Sequence, residues 1–226
     1  MAAVAVVVGG GGPPAVGLGD LGDLGSGPRV VAADSGLESA QAWGLAVDAV
    51  VGDMDSVDPA ALAAAEAAGA TVERHPEAKD ATDLDLAVAA ALAAGPPDRL
   101  VVVTGTGDRL DHLLAVALSL ATPALAGVAV EAWIGPAHLW VVRDHLALTG
   151  PPGALLSLVP VHGPARGVVT SGLRYPLAGE DLAPGTTRGV SNELAGGRAT
   201  VALRHGILLA VAPGAAGRCA TIAAWT

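Results

Sequence analysis

The chain has no phenylalanine, one tyrosine and one cysteine, and only 12 lysines and arginines against 22 acidic residues. A single cysteine, Cys219, excludes an internal disulfide framework and favours a reducing compartment, so we predict a cytoplasmic protein in which Cys219 is buried and structural. The net charge of −10 argues against a nucleic-acid partner, because phosphate backbones require clustered basic side chains. The sequence contains no basic amphipathic stretch of the kind that binds a membrane surface. The apolar N-terminal run is too short to span a bilayer.

With 226 residues, the chain is long enough for one large domain or two modest ones, and it can bury a substantial core. Hydrophobic residues make up 52% of the sequence, mostly alanine, valine and leucine. Small side chains must therefore fill this core, which suits close packing of helices on a sheet.

Short apolar runs alternate with alanine-rich stretches through the first part of the chain. Continuous apolar strands alternating with helices are typical of βαβ units, so we predict a three-layer α/β domain with a mainly parallel sheet. The predicted strands are 3–8, 29–33, 48–51, 70–74, 99–104 and 128–133, and the predicted helices are 36–44, 58–68, 83–94 and 111–121.

The pattern changes near residue 135, where helix signals end and short strands alternate with glycine and proline turns. This alternation predicts a small antiparallel β domain. The composition of residues 148–153 is typical of a linker. We place the domain boundary slightly earlier, which gives domains 1–140 and 141–226. The strands predicted for the second domain are 138–143, 154–160, 166–170, 186–191, 198–203 and 206–211.

Acidic residues follow four successive predicted strands, although charged residues make up only 15% of the chain. Ligands of open parallel sheets bind beyond the carboxyl ends of the strands, so these acids are predicted to share one site. Carboxylates without clustered histidine or cysteine favour Mg²⁺ over Zn²⁺, and Mg²⁺ usually accompanies a phosphate substrate. The acids are Asp34, Asp53 and Asp55, Asp80 and Asp83, and Asp108 and Asp111.

The spacing of these acids allows more than one interpretation. In an extended backbone Asp53 and Asp55 would face the same side and direct their carboxylates at one metal ion or two neighbouring ones. Asp80 and Asp83 share a face if a helix begins at Asp80. Alternatively, Thr82 caps the helix, and Asp83 and Asp85 complement the helix dipole.

Two further elements are suited to phosphate but have simpler explanations. Gly9–Gly12 follows the first strand, where backbone N–H groups can approach an anion, but a flexible turn explains the glycines equally well. Arg109 follows a strand and can clamp a phosphate, or it can pair with Asp108 or Asp111 at the surface. His112 can orient Asp111, contact substrate or cap the next helix.

Six segments in order resemble the thiamine pyrophosphokinase family, over roughly residues 5–212. No single motif is decisive, but six in the same order make coincidence implausible. Three positions depart from the family pattern: Asp108 replaces the usual glycine, Met54 replaces the more common phenylalanine, and Tyr175 stands where some members have tryptophan. The matching segments are Ala33–Gly36 (ADSG), Gly52–Ser56 (GDMDS), Lys79–Asp83 (KDATD), Gly107–His112 (GDRLDH), Gly172–Leu177 (GLRYPL) and Val190–Glu193 (VSNE).

The resemblance implies an α/β nucleotide-binding catalytic domain followed by a C-terminal β-sandwich that binds thiamine. It also implies a homodimer whose site is shared between subunits. The implied reaction is transfer of the pyrophosphoryl group of ATP to the hydroxyl of thiamine, which gives thiamine diphosphate and AMP and requires Mg²⁺.

The resemblance also assigns residues to roles. The catalytic and metal-binding cluster is Asp53, Asp55, Asp80 and Asp83, with Asp80 or Asp83 as the candidate base for the thiamine hydroxyl. The nucleotide and phosphate group is Asp34, Ser35, Lys79, Thr82, Arg109, Asp111 and His112, and the thiamine group is Tyr175, Ser191 and Asn192.

Two other functions remain open from the sequence. One is a pyrophosphokinase of the same architecture that acts on another hydroxymethyl heterocycle, such as a pterin. The other is a non-catalytic nucleotide- or thiamine-binding module, which predicts missing acids. All the expected carboxylates are present, so the sequence favours an enzyme.

Overall fold

The structure is a computed structural model that describes residues 3–214. It divides into two compact units, the first formed by the chain up to Ser119 together with Val130–Gly135. The second is formed by Leu120–Ala129 together with the chain from Pro136 onward. The exact domain ranges 1–140 and 141–226 stay a prediction, and Cys219 lies outside the described residues.

In the first unit, strands and helices alternate along the chain, as the apolar pattern predicts. The sheet order is β6-β5-β1-β2-β3-β4, and the pairs β5–β1, β1–β2, β2–β3 and β3–β4 are parallel. The strands are β1 (Val4–Val8), β2 (Arg29–Ala33), β3 (Ala49–Gly52), β4 (Thr71–Arg74), β5 (Arg99–Thr104) and β6 (Ala129–Ile134). The helices are α1 (Gly36–Ala42), α2 (Pro59–Ala67), α3 (Asp83–Leu92) and α4 (Leu110–Ser119).

The central strands of this sheet are buried almost end to end, because each is a run of small apolar side chains covered by helices. Helix α3 packs on β1, β2 and β3, and α1 packs on β1 and β2. Val50 of β3 belongs to a buried cluster with Leu37 of α1 and Leu62 of α2. Parallel strands of this kind bring their carboxyl ends to one edge of the sheet, where the predicted acids begin.

The second unit consists of two antiparallel sheets, with orders β12-β9-β14-β7 and β11-β10-β13-β8. With the mainly parallel sheet of the first unit, this confirms the predicted fold class. The strands are β7 (Ala137–Val142), β8 (His145–Thr149), β9 (Leu155–Pro160), β10 (Ala165–Ser171), β11 (Ala178–Leu182), β12 (Asn192–Glu193), β13 (Arg198–Ala202) and β14 (Leu208–Ala212).

One predicted strand of the second unit is wrong. Residues 186–191 form turns, in which the N–H of Thr186 donates to Ala183 O at 3.1 Å and the N–H of Val190 donates to Thr187 O at 3.0 Å. Ser191 has a φ of 58°, which a strand does not accommodate.

Three strands of the second unit were not predicted: β8, β11 and the two-residue β12. β8 (His145–Thr149) overlaps the segment read as a linker, and it pairs with β13 along its whole length. β11 (Ala178–Leu182) contains a glycine and two acids, a composition that strand propensity disfavours. Pairing with β10 overrides this local preference.

Among residues 3–214, no helix combines the length and apolar character needed to cross a bilayer.

Candidate active site

A cavity of about 320 Å³ lies beyond the carboxyl ends of β1, β2 and β5 in the first unit. Its walls include the glycine-rich segment Gly9–Gly11 after β1 and the segment Thr104–Arg109 after β5. The first turn of α3 contributes Thr82–Leu84, and α4 contributes the apolar side chains of Leu113 and Val116. The cavity therefore combines exposed backbone, acidic side chains and an apolar wall in the place where this sheet type binds ligands.

The two glycine-rich segments are joined by hydrogen bonds. The N–H groups of Gly105 and Gly107 donate to Gly10 O and Gly11 O at 3.0 and 2.9 Å, and the Thr104 hydroxyl donates to Gly10 O at 2.8 Å. A Cβ atom at Gly105 would lie 2.1 Å from Gly11 O. The glycines after β1 are thus part of an ordered wall, and Gly105 has no room for a side chain.

Asp34 stands directly after β2 in the left-handed region, with a φ of 45°, and its carboxylate turns toward the end of β3. Its Oδ1 accepts a 3.4 Å hydrogen bond from the N–H of Met54. A Cβ atom at Gly52 would lie 1.8 Å from the same oxygen, so only glycine fits there. Burial, followed by repulsion from Asp83, raises the pKa of Asp34 to about 6.

Asp53 and Asp55 are close together, but not through the extended backbone that their spacing suggested. β3 ends at Gly52, and Met54 has a φ of 66°, so the chain turns between the two acids. The N–H of Asp55 donates to Asp53 Oδ1 at 3.0 Å, which lowers the pKa of Asp53. The carboxylate of Asp53 in turn raises the pKa of Asp55. Met54 packs against the buried cluster that contains Val50 and Leu37.

The capped alternative for α3 is confirmed. Thr82 is the N-cap residue, and its hydroxyl oxygen accepts a hydrogen bond from the Asp85 N–H at 3.1 Å. The Asp85 carboxylate in turn accepts hydrogen bonds from the N–H and the hydroxyl of Thr82, at 3.3 and 2.8 Å. The helix does not begin at Asp80, so Asp80 and Asp83 do not share a helical face, and Asp80 is exposed before the first turn.

Asp83, the first residue of α3, lines the cavity and forms an ion pair with Lys79, the only lysine of the chain. The Lys79 side chain is only 13% exposed. Burial opposes its positive charge, but the bond to Asp83 and the nearby charges of Asp53 and Asp34 raise its pKa overall. Lys79 therefore stays charged and partly offsets the acids around it.

Replacing Asp34 with asparagine should stabilise the protein in the absence of substrates and divalent cations. The carboxyl pKa is near 3.8 when unfolded and about 6 when folded, so wild-type stability falls as pH rises through that window. The full pKa shift corresponds to about 3 kcal/mol in the free energy of unfolding. Because Asp34 is partly solvated, we expect the asparagine variant to gain only about 1–2 kcal/mol of stability at pH 7.5. Asparagine also tolerates the left-handed backbone.

Urea unfolding of both proteins at pH 4 and pH 7.5 would measure this gain. We expect the difference between them to be large at pH 7.5 and to shrink toward pH 4, where the wild-type carboxyl is largely protonated in the folded state. An Asp34→Asn protein that is less stable than wild type at pH 7.5 would contradict the raised pKa assigned to this carboxyl.

Arg109 and Asp111 form an exposed, two-pronged ion pair at the start of α4, with Nη2–Oδ2 and Nε–Oδ1 distances of 2.6 and 3.3 Å. This contact lowers the pKa of Asp111 to about 2. The pairing is the surface alternative considered for Arg109, but the arginine also lines the cavity, as does His112. Arg109 is therefore placed where an anion in the cavity can compete with Asp111 for its guanidinium.

The predicted residues of the first unit fall into three groups. The first lines the cavity: Asp34, Ser35, Thr82, Asp83, Arg109 and His112. The second, Asp53, Asp55 and Lys79, interacts electrostatically with Asp34 or Asp83. The third, Asp80 and Asp111, is exposed, with Asp111 bound to Arg109.

The acidic side chains fit a hard divalent cation by their chemistry, because they are carboxylates that repel one another. Within residues 3–214, however, no three acidic, histidine or cysteine side chains are grouped closely enough to hold a metal by themselves. Mg²⁺ commonly binds through one or two carboxylates together with substrate phosphates, and this arrangement suits such a mode.

In the second unit, the predicted thiamine-binding residues lie together. Tyr175 is 49% exposed, whereas Asn192 is only 4% exposed. The N–H of Tyr175 donates to Asn192 Oδ1 at 3.0 Å, and Asn192 Nδ2 donates to Tyr175 O at 2.7 Å. Ser191 is exposed, and its N–H donates to the Ser157 hydroxyl oxygen at 3.1 Å.

Comparison with known proteins assigns both units to one family. Residues 25–130 match the family model described as the thiamin pyrophosphokinase catalytic domain, and residues 146–208 match the thiamin pyrophosphokinase vitamin B1 binding domain. The chain belongs to the thiamin pyrophosphokinase family. The resemblance in the six sequence segments is thereby confirmed, and the chain is an enzyme of this family.

Individual members of the thiamin pyrophosphokinase family are similar to the chain over most of its length. A thiamine pyrophosphokinase of Bacillus subtilis is 28% identical over 170 residues, covering 71% of this chain and 75% of the relative. The crystal structure of thiamine pyrophosphokinase from Bacillus subtilis aligns with a TM-score of 0.78 at 25% identity, covering 92% of this chain and 98% of that one.

A thiamin pyrophosphokinase family protein from Enterococcus faecalis aligns with a TM-score of 0.76, covering 93% of this chain and 99% of that one. At 20% identity this similarity shows the fold alone.

Several cavity residues were not assigned from the family motifs. Thr104 ends the buried strand β5 and Gly105 follows it, and the rule that ligands bind at strand ends pointed to their position but not to their contacts. Leu113 and Val116 are one helical turn apart, which is a common core spacing and carries no signal of a site. Ser56 lies within the GDMDS segment and lines the cavity as well.

Proposed function

We propose that the protein transfers the pyrophosphoryl group of ATP to the hydroxyl of thiamine, giving thiamine diphosphate and AMP, in a Mg²⁺-dependent reaction. The observation that carries the proposal is the match to both family models, one across most of the cavity and the other across Tyr175 and Asn192. The single cysteine also supports the cytoplasmic location that we propose.

The cavity of the first unit is the proposed site of the ATP phosphates. Its backbone segments after β1 and β5 approach closely because Gly105 leaves room for Gly11, and a glycine-rich segment after a strand lets a phosphate come close to the backbone. Arg109 adds a two-pronged donor that can exchange Asp111 for a phosphate. Ser35, Thr82 and His112 add polar groups along the same wall.

Mg²⁺ is the proposed cofactor, held by carboxylates of the cluster Asp34, Asp53, Asp55 and Asp83 together with the substrate phosphates. When bound, it offsets phosphate charge and makes AMP a better leaving group. The raised pKa of Asp34 supports this, because burial and then repulsion from Asp83 disfavour its negative charge, and a bound cation would offset both effects. The family resemblance also assigns Asp80 to this cluster, and that assignment stays a prediction.

The chain's own residues must bring the thiamine hydroxyl into line with the β-phosphorus, at about 3–3.5 Å. The hydroxyl oxygen then forms a bond to the β-phosphorus as the bond from that phosphorus to the AMP oxygen breaks. We propose Asp83 as the group that accepts the hydroxyl proton, because it lines the cavity whereas Asp80 is exposed. Lys79, bound to Asp83, holds that carboxylate in place and balances its charge.

Thiamine carries a positive charge, so the acidic chain and the aromatic face of Tyr175 suit it. We propose that Tyr175 stacks on thiamine with Ser191 nearby. We also propose a homodimer in which a second copy of the chain completes each site, as the sequence resemblance implies.

Replacing Gly105 with alanine should weaken ATP binding roughly tenfold or more, because a methyl group there would push Gly11 out of the cavity wall. Isothermal titration of ATP without thiamine would measure the effect. Gly27→Ala is the matched control, since a Cβ at Gly27 meets nothing within 4 Å. Equal ATP affinity in both variants would argue against the cavity as the phosphate site.

A substrate panel tests the proposed function against its alternatives. The protein would be incubated with ATP and Mg²⁺ plus thiamine, a hydroxymethylpterin or no acceptor, and the products separated by chromatography. Diphosphorylated thiamine alone supports the proposal, whereas a diphosphorylated pterin supports the second candidate. Thiamine binding without any product would indicate a non-catalytic module.

A further inference from the structure

Asn192, the only asparagine of the chain, is buried next to the backbone of Tyr175, whose side chain is about half exposed. Its side-chain amide makes two hydrogen bonds to the backbone of Tyr175, accepting from the N–H at 3.0 Å and donating to the carbonyl at 2.7 Å. The same Oδ1 also accepts from the N–H of Glu193 at 2.9 Å. The side chain thus joins β12 to the segment that carries the tyrosine.

These bonds leave little capacity for a ligand. An amide oxygen has two lone pairs, and both acceptor positions of Asn192 Oδ1 are used. One of the two Nδ2 hydrogens is used as well, and the side chain is only 4% exposed. The Asn192 side chain therefore has little capacity left for direct contact with thiamine, although the family resemblance suggests such a contact.

The segment around Tyr175 is fixed from both sides. Arg174 N–H donates to Glu193 O at 2.9 Å, and the Leu177 N–H donates to the buried Thr170 hydroxyl oxygen at 2.8 Å. The backbone of Tyr175 lies between these bonds and is held by Asn192. Removing the Asn192 amide would leave the Tyr175 N–H and carbonyl without that partner in a partly buried place.

The Tyr175 ring has one face occupied. The Arg174 guanidinium carbon lies 5.5 Å from the ring centroid, and Arg174 Nη1 forms a 3.0 Å ion pair with Glu193. A cation that stacks on the ring must take the opposite face. Glu193 offsets the arginine charge, so a second cation on the ring meets less repulsion.

We propose that Asn192 is a positioning residue, which presents the free face of the Tyr175 ring to the cationic heterocycle without binding that heterocycle itself. The role as a substrate platform rests on the proposed function, whereas the control of the ring position by Asn192 does not. The two parts are therefore testable separately.

The single tyrosine gives a selective probe, because 3-fluorotyrosine incorporated into the full chain yields one ¹⁹F resonance, from Tyr175. Without ligand, Asn192→Ala and the isosteric Asn192→Asp, which lacks the amide donor, should shift this resonance toward its position in the urea-unfolded chain. Asp181→Ala, which removes a 2.8 Å bond to Gly167 N–H in the same unit, should not shift it. Unchanged resonances in both Asn192 variants would overturn the proposal.

Kinetics then distinguish positioning from general structural damage. Both Asn192 variants should raise the KM for thiamine about tenfold while the KM for ATP and kcat change less than about twofold. Equal losses in all three constants, or none, would overturn the positioning role. If the wild-type resonance does not move when thiamine is titrated, the stacking in the proposed function fails, while the ligand-free result still stands.

Discussion

Asp83→Asn is expected to lower kcat/KM roughly a thousandfold while the protein remains folded, because it removes the proposed proton acceptor and one charge of the proposed Mg²⁺-binding cluster. Asparagine keeps nearly the same shape at the first position of α3. It also removes the repulsion that Asp83 exerts on Asp34, which offsets the loss of the ion pair with Lys79. The measurement is steady-state turnover with saturating Mg²⁺, with thermal unfolding as a check on the fold.

The control for this variant lies two residues further along the same helical turn. Asp85 binds Thr82 in the capping box and is absent from the cavity lining, so Asp85→Asn should cost at most about 1 kcal/mol of stability and leave turnover near wild type. If Asp85→Asn is as inactive as Asp83→Asn, the effect is one of helix structure. If Asp83→Asn retains wild-type turnover, Asp83 has no part in the chemistry.

The second large effect is expected at Tyr175. Tyr175→Ala should raise the KM for thiamine roughly 10- to 100-fold and leave the KM for ATP nearly unchanged, because it removes the aromatic face on which we propose that the thiamine cation stacks. Tyr175→Trp keeps that face, and we expect it to stay within about threefold of wild type.

This result is measured by varying thiamine at saturating ATP and then ATP at saturating thiamine. A change confined to the KM for ATP would place Tyr175 at the nucleotide instead. Because the ring is about half exposed, the alanine variant should unfold at nearly the wild-type temperature.

The position of the site was predictable because it depends on repeating local patterns. Apolar runs such as Val4–Val8 predict buried parallel strands, and parallel strands bring the acids that follow them to one edge. Thr82, followed three residues later by Asp85, carries a visible capping signal, which was one of two readings of that segment. The family motifs then linked these acids to a reaction.

The local geometry of the site was not predictable from spacing. Asp34 and Met54 adopt left-handed backbone, which is uncommon for such residues, and Gly52 makes room for a carboxylate that follows another strand. The bonds of Asn192 to Tyr175 join positions 17 residues apart through sheet pairing. The pairing of β8 and β11 likewise depends on distant partners that no local pattern contains.

The proposed reaction differs from ordinary phosphoryl transfer in where the ATP chain is cut. Attack at the β-phosphorus releases AMP, whereas attack at the γ-phosphorus releases ADP and gives thiamine monophosphate. The most direct test is to incubate the full chain with ATP, thiamine and Mg²⁺ and to quantify both nucleotides and both thiamine esters over time. We predict AMP and thiamine diphosphate in equal amounts, both dependent on thiamine and on Mg²⁺. Formation of ADP with thiamine monophosphate, or no thiamine-dependent AMP, would contradict the account.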